Sequence, residues 1–194
     1  MNNFYTVNIL DLIETVGEEE TKVILSDFKC SINSEIEEFL HKSAIEFAKR
    51  KMSITYLVID NIGQVIAYFT LTHKPALVPS RLLSNNSKKK IERHARMDEE
   101  TKSYIVSAFL IAQLGKNEQY PDKIRYSGMD LMDQAINILK CVQRKVGGGI
   151  VFLECEDNEK LLKFYQSEHN NFGIYGERIA ESEHTRYKQL LRFF

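Results

Sequence analysis

An apolar run from Tyr104 to Leu114 constrains the fold of this 194-residue chain more than any other feature. It is rich in β-branched and aromatic residues, which is typical of a strand buried on both faces. The interval up to Ser127 is polar and holds the breakers Gly115 and Pro121, so it predicts a loop. Apolar residues then recur at helical spacing: Met129, Met132, Ala135, Ile136, Leu139 and Val142. Because the first N–H groups of a helix lack partners, we expect a phosphate-bearing ligand near Gly128.

Two β-rich runs, Ile54–Asp60 and Gln64–Thr72, flank Asn61-Ile62-Gly63 and predict a hairpin, since Asn and Gly tolerate the positive φ of a tight turn. Pro75 and Pro79 predict the end of the second strand. Residues Ser84–Lys90 are polar and predict a mobile surface loop.

Helix signals are present on both sides of these strands. Ser34 with Glu37 predicts a capping box at the start of one helix. The apolar face of that helix would be Ile36, Phe39, Leu40, Ala44, Phe47 and Ala48. The first segment, 4–12, predicts a strand or a helix, and the next, 23–28, predicts a helix.

The C-terminal third predicts a strand, a helix and two further strands. The triple glycine at Gly147–Gly149 ends the central helix and precedes a buried-type strand, Ile150–Cys155. Asp157 would cap a short helix. Its inward residues would be Leu161, Leu162, Phe164 and Tyr165. Two strands, at 172–178 and 184–194, complete a mixed α/β domain that spans residues 1–194, with a polar insertion at about 74–103.

Composition limits the classes of function. The net charge of −1 gives no whole-surface attraction to nucleic acid or to an acidic membrane. Cys30, Cys141 and Cys155 lack metal or redox spacing and are odd in number, which favours a reducing compartment over a disulfide framework. No apolar run reaches the roughly 18 residues of a spanning helix, and the N-terminus does not resemble a signal peptide. These features predict a cytoplasmic protein with no membrane partner.

Several motifs together resemble the GCN5-related N-acetyltransferase (GNAT) family. That family has a strand, a phosphate loop of the form Gln/Arg-x-x-Gly-x-Gly/Ala, a helix, a second strand and a helix with Asn-x-x-Ala-x-x-Phe-Tyr. The chain matches with Ala108–Gly115 and with Asn158–Tyr165, where Leu161 stands at the usual alanine. Phe172-Gly173 and the helix and hairpin within 43–69 fit the same pattern. The resemblance covers roughly residues 28–193.

The resemblance implies an acyl-CoA N-acyltransferase fold with splayed central strands and an acetyl-CoA-dependent transfer of acetyl to a primary amine. Tyr165 would be the general acid that protonates the leaving thiolate, and no metal is required. Backbone amides at Ala112, Gln113 and Leu114 would bind the pantetheine arm and polarise the thioester carbonyl. Asn158 would bond a pantetheine amide.

The phosphate loop departs from the family pattern. One register places Arg125 first and Gly128 at the first glycine, but Asp130 then replaces the final Gly/Ala, and its charge would repel a pyrophosphate. The other register places Lys123 first, Tyr126 at the first glycine and Gly128 at the end, and it is preferred because Gly128 then opens the helix. Backbone N–H groups from Tyr126 to Met129, Ser127 included, would bind the diphosphate in either register.

Other readings remain open. A non-catalytic GNAT-fold scaffold or ligand-binding protein would explain the altered phosphate loop. The acceptor amine is either a small molecule or a macromolecule, and residues 28–44 resemble toxin-type members that acetylate aminoacyl-tRNA. The net charge weakens tRNA binding, although one basic cluster extends from Lys88 to Arg96. A homodimer is compatible with the resemblance. Glu154 is an alternative base, and Cys155 is expected to be a buried thiol.

Overall fold

The computed structural model of the protein describes residues 4–120, 126–180 and 185–194. These residues form eight strands in a mixed sheet with the order β1-β2-β3-β5-β6-β8-β7, and β4 pairs with β5. The strands are β1 (Tyr5–Asn8), β2 (Ile54–Ile59), β3 (Val65–Pro79), β4 (Met97–Asp98), β5 (Ser103–Lys116), β6 (Ile150–Glu156), β7 (Gly173–Ala180) and β8 (Thr185–Phe193).

The described residues form seven α-helices, four of them between β1 and β2, and α6 is the longest. They are α1 (Ile9–Val16), α2 (Glu18–Ser26), α3 (Ser34–Lys42), α4 (Ala44–Lys49), α5 (Asn85–Ile91), α6 (Gly128–Val146) and α7 (Glu159–Tyr165). A short 3-10 helix covers Ser80–Leu82. The predicted mixed α/β class is confirmed.

The contacts divide the chain into two compact units. Unit 1 comprises residues 1–72 and 111–137, and unit 2 comprises residues 73–110 and 138–194. The core of unit 1 contains Ile9, Leu25, Phe28, Leu40, Leu57 and Tyr68. The core of unit 2 contains Val78, Ile91, Tyr104, Val106, Ile150 and Tyr175.

The strand and helix that the sequence predicted at the centre of the chain are confirmed as β5 and α6. The strand is longer than expected, because Gly115 and Lys116 belong to β5 and not to a loop. Among the described residues, the parallel register between β5 and β6 consists of Phe109 opposite Val151 and Leu110 opposite Phe152. The rest of β5, from Ile111 to Lys116, is named here the β5 tail.

The predicted hairpin is also confirmed, since β2 pairs antiparallel with β3 and Gly63 has a φ of 86°. The expectation that Pro75 ends β3 is wrong, because the strand continues through it, and Pro79 is its last residue. Pro75 is exposed, whereas the alternating residues Ala76 and Val78 are buried. Proline has a φ that extended backbone accepts, so the burial of these neighbours keeps the chain extended.

The segment expected to be a loop at Ser84–Lys90 is the helix α5. The Ser84 hydroxyl caps it by accepting a hydrogen bond from the Ser87 N–H at 3.1 Å. Ile91, at the end of the helix, is fully buried in the core of unit 2. One buried side chain and one cap are therefore enough to order a segment whose composition is polar.

The helix expected over residues 36–48 is interrupted at Ser43 into α3 and α4. Its predicted capping box is wrong as well. Asn33 is the N-cap and accepts from the Glu35 N–H at 3.0 Å. Glu37 accepts instead from the Cys30 N–H at 2.9 Å and from Lys29 Nζ at 3.1 Å. The residues before α3 are thus held by side chains of the helix.

Candidate active site

The predicted pantetheine-binding residues lie on the β5 tail. Ala112 is exposed, and Gln113 and Leu114 are half-buried. The next residue, Gly115, is covered by α3: a Cβ added there would lie 2.5 Å from Ile36 Cγ2. The absence of a side chain at Gly115 therefore lets α3 approach the backbone of the tail closely.

A capping box closes the N-terminus of α6. The N–H and the hydroxyl of Ser127 donate to Asp130 Oδ2 at 2.7 and 2.6 Å, and the Asp130 N–H donates to Ser127 Oγ at 3.1 Å. These bonds lower the pKa of the Asp130 carboxyl, so it stays negatively charged at neutral pH. The N–H of Ser127 is therefore already occupied, and the N–H groups of Gly128 and Met129, which have no partner within the helix, remain as donors for an anion.

Tyr126 does not present its side chain to a ligand. Only 5% of the residue is exposed, and its ring packs edge-on against Phe4 at 4.9 Å. Its hydroxyl is buried, with no hydrogen-bond partner among the described residues. Burial raises the pKa of Tyr126 to about 12, with a further contribution from Asp130 and Asp133. At the position of the first glycine in the preferred register, this chain therefore carries a core aromatic.

Two of the predicted phosphate-binding residues, Lys123 and Arg125, lie outside the described residues, as does the breaker Pro121. Gly128 and Met129 are half-buried at the first turn of α6.

Asn158, and not Asp157, caps α7. Its Oδ1 accepts from the N–H groups of Lys160 and Leu161 at 2.9 and 3.4 Å. Asp157 instead lies 3.4 Å from Lys188 Nζ. The cap uses the oxygen of the exposed Asn158 side chain, which leaves the Nδ2 donor for a carbonyl such as that of a pantetheine amide.

Tyr165 lies at the end of α7 and is 8% exposed. Its ring contacts those of Phe164 and Phe172, with centroids at 5.0 and 6.1 Å. Burial raises the pKa of Tyr165, and the nearby Cys155 adds to the effect. Among the described residues no acceptor takes its hydroxyl proton, so the phenol is protonated at neutral pH and uncommitted. A protonated phenol can donate its proton, and burial makes this one a weaker acid than an exposed tyrosine.

The alternative base, Glu154, is already paired. Arg178 donates to its Oε2 through Nε at 3.0 Å and Nη2 at 2.9 Å, and Gln189 donates to its Oε1 at 2.7 Å. Cys155 is buried as expected, and burial raises the pKa of its thiol to about 11, so it is not a nucleophile at neutral pH.

Within the described ranges, no group of three or more His, Cys, Asp and Glu side chains is arranged to hold a metal ion. In the same ranges, no helix combines the length and the apolar character needed to cross a membrane.

Solved structures share this fold over nearly the full length of the chain. AtaT complexed with acetyl-methionyl-tRNAfMet has 20% identity and a TM-score of 0.66, covering 99% of this chain and 94% of that chain. A tyrosine-to-phenylalanine mutant of KacT has 15% identity and a TM-score of 0.62, covering 95% and 93%. AtaTR bound with acetyl-CoA has 17% identity and a TM-score of 0.60, covering 98% and 93%. No protein-family model matches the sequence, and neither does any curated protein.

AtaT is a toxin, and both AtaT and KacT have the GNAT fold. The fold that the resemblance implied is therefore confirmed, with its mixed sheet and the helices α6 and α7 in the expected order. At these identities the likeness shows the fold, and the chemistry has to be argued from the chain's own residues.

The sequence reasoning missed the capping role of Asp130 and did not identify Asn117. The spacing Ser127-x-x-Asp130 before a helix indicates a capping box, and so could have predicted the capping role of Asp130. Asn117 is buried and hydrogen-bonded to distant segments, and no local pattern marks it.

Proposed function

We propose that the protein transfers an acetyl group from acetyl-CoA to a primary amine. The observation that carries this proposal is the protonated, uncommitted phenol of Tyr165 at the end of the Asn158-capped helix. The same fold in AtaTR bound with acetyl-CoA supports it. In the mutants of both AtaT and KacT a tyrosine is replaced by phenylalanine, which fits a functional tyrosine in such proteins.

The roles of the individual residues follow from their chemistry. The amides of Ala112, Gln113 and Leu114 would pair with the pantetheine arm, and the N–H groups of Gly128 and Met129 would bind the diphosphate. Tyr126 would contribute through its backbone N–H, since its side chain is buried. Ser127 would contribute indirectly, because its N–H and hydroxyl donate to Asp130 and order the first turn of α6. Lys123 and Arg125 would add positive charge. Asn158 would donate from Nδ2 to a pantetheine carbonyl.

When bound, acetyl-CoA supplies a thioester that a neutral amine can attack. Backbone N–H groups of the β5 tail would stabilise the negative charge that develops on the carbonyl oxygen. The Tyr165 hydroxyl would donate its proton to the departing sulfur, and the attacking nitrogen would release one proton to solvent. The tyrosinate left behind would regain a proton from solvent, which returns Tyr165 to its protonated form.

We further propose that the amine belongs to an aminoacyl-tRNA. AtaT has been solved with acetyl-methionyl-tRNAfMet, and the charge of this chain is divided in a way that suits an RNA partner. Unit 2 has 17 Lys and Arg against 12 Asp and Glu, a net charge of +5, whereas unit 1 has 9 against 15, a net charge of −6. The near-neutral net charge of the whole chain is therefore the sum of a basic unit and an acidic one. For this reason the net charge does not argue against binding of tRNA by unit 2.

The basic residues of unit 2 include those of α5 and the turn that follows it. Inward contacts fix this helix: Ile91 is buried, and the Tyr104 hydroxyl donates to Glu92 at 2.9 Å. Lys90 Nζ lies 5.5 Å from the centroid of the Phe193 ring. Lys89, Arg93 and Arg96 are exposed. A well-anchored helix with exposed cations matches the backbone contacts that dominate protein–RNA affinity.

Charge reversal tests the RNA proposal. Lys89→Glu, Arg93→Glu and Arg96→Glu together should weaken tRNA binding at least about tenfold at physiological salt and reduce the salt slope by about two. The matched control reverses three exposed cations of unit 1, Lys22, Lys42 and Arg50, with the same change in net charge. Equal weakening by both triple variants, or by neither, would show that α5 does not contact RNA.

A thermal-shift titration with acetyl-CoA separates the enzyme from its rival, a non-catalytic GNAT-fold protein. The buried Tyr126 and the charged Asp130 favour that rival, because both depart from the phosphate-loop pattern. At a hundredfold excess over Kd, binding should stabilise the protein by about 2.7 kcal/mol, which raises the Tm by about 5–11 °C. No shift at millimolar acetyl-CoA would favour the rival.

Expression in cells tests the toxin-type form of the proposal. The wild-type chain should arrest growth and the Tyr165→Phe chain should not, and harmless expression of the wild type would contradict it. A homodimer stays a prediction, to be checked by light scattering on the purified protein.

A further inference from the structure

Asn117 directly follows the β5 tail and is linked to two separate stretches of unit 1, around Asp27–Lys29 and around Val65. It is 7% exposed, and its side chain makes four hydrogen bonds. Oδ1 accepts from the N–H groups of Lys29 at 3.1 Å and Gln119 at 3.0 Å. Nδ2 donates to the carbonyls of Asp27 at 3.2 Å and Val65 at 2.8 Å. Every donor and acceptor of this amide is therefore used.

The surrounding bonds tie the same stretches together. The Asn117 N–H donates to the carbonyl of Ile66 at 2.8 Å, and the Glu118 N–H donates to that of Lys29 at 2.9 Å. The Glu118 carboxylate accepts from the N–H of Ser31 at 2.8 Å and also from the Ser31 hydroxyl. These hydrogen bonds lower the pKa of Glu118, so the carboxylate remains charged and keeps its donors.

The geometry requires an amide at this position. Two N–H groups face the oxygen of Asn117, and two carbonyls face its nitrogen. A carboxylate would place an oxygen against both carbonyls, and an alanine would remove the partner of two part-buried N–H donors and two carbonyl acceptors. The identity of the side chain is therefore set by its partners and not by its shape alone.

We propose that Asn117 is a positioning residue that holds the β5 tail in register with the segment Asp27–Ser31. This inference rests on the proposed function, because the tail carries the amides at Ala112, Gln113 and Leu114 that would bind the pantetheine arm. The register between β5 and β6 comprises only two residue pairs among the described residues, ending at Leu110. Beside its pairing with β3 in the sheet, the tail is therefore anchored within unit 1 by the Asn117 side chain, which bonds Asp27, Lys29 and Val65.

The test compares Asn117→Ala and Asn117→Asp with a control that removes a buried polar group elsewhere in unit 1. Thr55→Val is that control, since the Thr55 hydroxyl is fully buried and bonds that of Thr70 at 2.8 Å, within β2 and β3. Calorimetry gives the Kd for acetyl-CoA, steady-state assays give kcat and KM, and native-state hydrogen exchange gives the protection of residues 27–33 and 111–116.

Both Asn117 variants should raise the Kd for acetyl-CoA at least about tenfold, the loss expected when an ordered binding strand becomes mobile. They should raise the KM more than they lower kcat at saturation. Thr55→Val should leave the Kd within about twofold even where its Tm falls equally. Hydrogen exchange should accelerate locally at 27–33 and 111–116 in the Asn117 variants, and not in the control.

Equal effects of Asn117→Ala and Thr55→Val on the Kd, or acceleration spread evenly over the chain, would overturn the inference. A variant that fails to fold is replaced by Asn117→Ser, which retains a hydroxyl, and the same criteria apply. If the wild-type protein binds no acetyl-CoA, the proposed function fails. Exchange in the ligand-free proteins then decides the positioning role by itself: local acceleration supports it, and uniform acceleration refutes it.

Discussion

The close approach of α3 to the β5 tail makes Gly115→Ala the substitution with the most calculable effect. The added Cβ would lie 2.5 Å from Ile36 Cγ2, 3.4 Å from Phe28 Cζ and 3.6 Å from Tyr68 Cε1. Carbon atoms in contact normally stay about 3.5–4.0 Å apart, so Ile36 must retreat by about 1 Å. Its backbone resists that movement, because the Tyr68 hydroxyl donates to the Ile36 carbonyl at 2.5 Å.

Overpacking of this kind costs about 1–3 kcal/mol of unfolding free energy, which corresponds to a fall in Tm of about 2–12 °C for a chain of this size. Urea unfolding and calorimetry measure both quantities. Gly173→Ala is the control, since it is also a strand glycine but the nearest atom to its added Cβ is 4.0 Å away. The control should stay within about 0.5 kcal/mol of the wild type.

A double-mutant cycle isolates the contact itself. Ile36→Ala removes Cγ2, so Gly115→Ala should cost at least about 1 kcal/mol less in that background than in the wild type. The reasoning is refuted if Gly115→Ala is as mild as Gly173→Ala. It is also refuted if the cost of Gly115→Ala is the same with and without the Ile36 side chain.

Two further predictions concern charge and protonation. Asp130→Asn keeps an acceptor for Ser127 but removes a negative charge beside the proposed diphosphate site. Calorimetry at low salt should therefore show that acetyl-CoA binds about fivefold more tightly. Weaker binding would show that the diphosphate binds elsewhere. Burial raises the pKa of Tyr126 and Tyr175 to about 12 in the folded protein, compared with about 10 in the unfolded chain. Both phenols therefore contribute fully to the unfolding free energy below about pH 10, and this contribution is lost as the pH rises towards 12. The unfolding free energy should therefore fall by up to about 1.4 kcal/mol per pH unit for each tyrosine. Urea unfolding midpoints measured from pH 8 to 11 give this slope. Tyr126→Phe should remove the part of the slope that Tyr126 contributes. A slope unaffected by Tyr126→Phe would contradict the burial of that phenol.

Local sequence patterns predicted the elements that local interactions determine. The run 104–114 gave β5, the spacing after Gly128 gave α6, and the turn at Gly63 gave the hairpin, because each depends on neighbours a few residues away. The patterns failed where a distant partner decides. Asn158 and Asp157 are both residue types that favour the N-cap position. Asp157 pairs instead with Lys188, which is distant in the sequence, so the sequence could not show which of the two caps α7.

The same distinction applies to the candidate site. Tyr165 and Asn158 lie where their motif placed them on α7, but the motif says nothing about the uncommitted phenol or the occupied Oδ1. The bonds of Asn117 reach residues that lie 52 to 90 positions away in the chain, so no window of sequence contains them. The altered phosphate loop was visible in the sequence, whereas the side-chain burial of Tyr126 was not.

The central claim is that the Tyr165 hydroxyl delivers a proton to the sulfur of coenzyme A. Its most direct test is the turnover of Tyr165→Phe with radiolabelled acetyl-CoA and a pool of aminoacyl-tRNA, measured beside the Kd for acetyl-CoA. A general acid contributes about 10²–10⁴-fold, so kcat should fall by that factor while the Kd stays within about twofold of the wild type. Unchanged turnover on a confirmed acceptor would show that Tyr165 is a core aromatic and that the proton comes from another group.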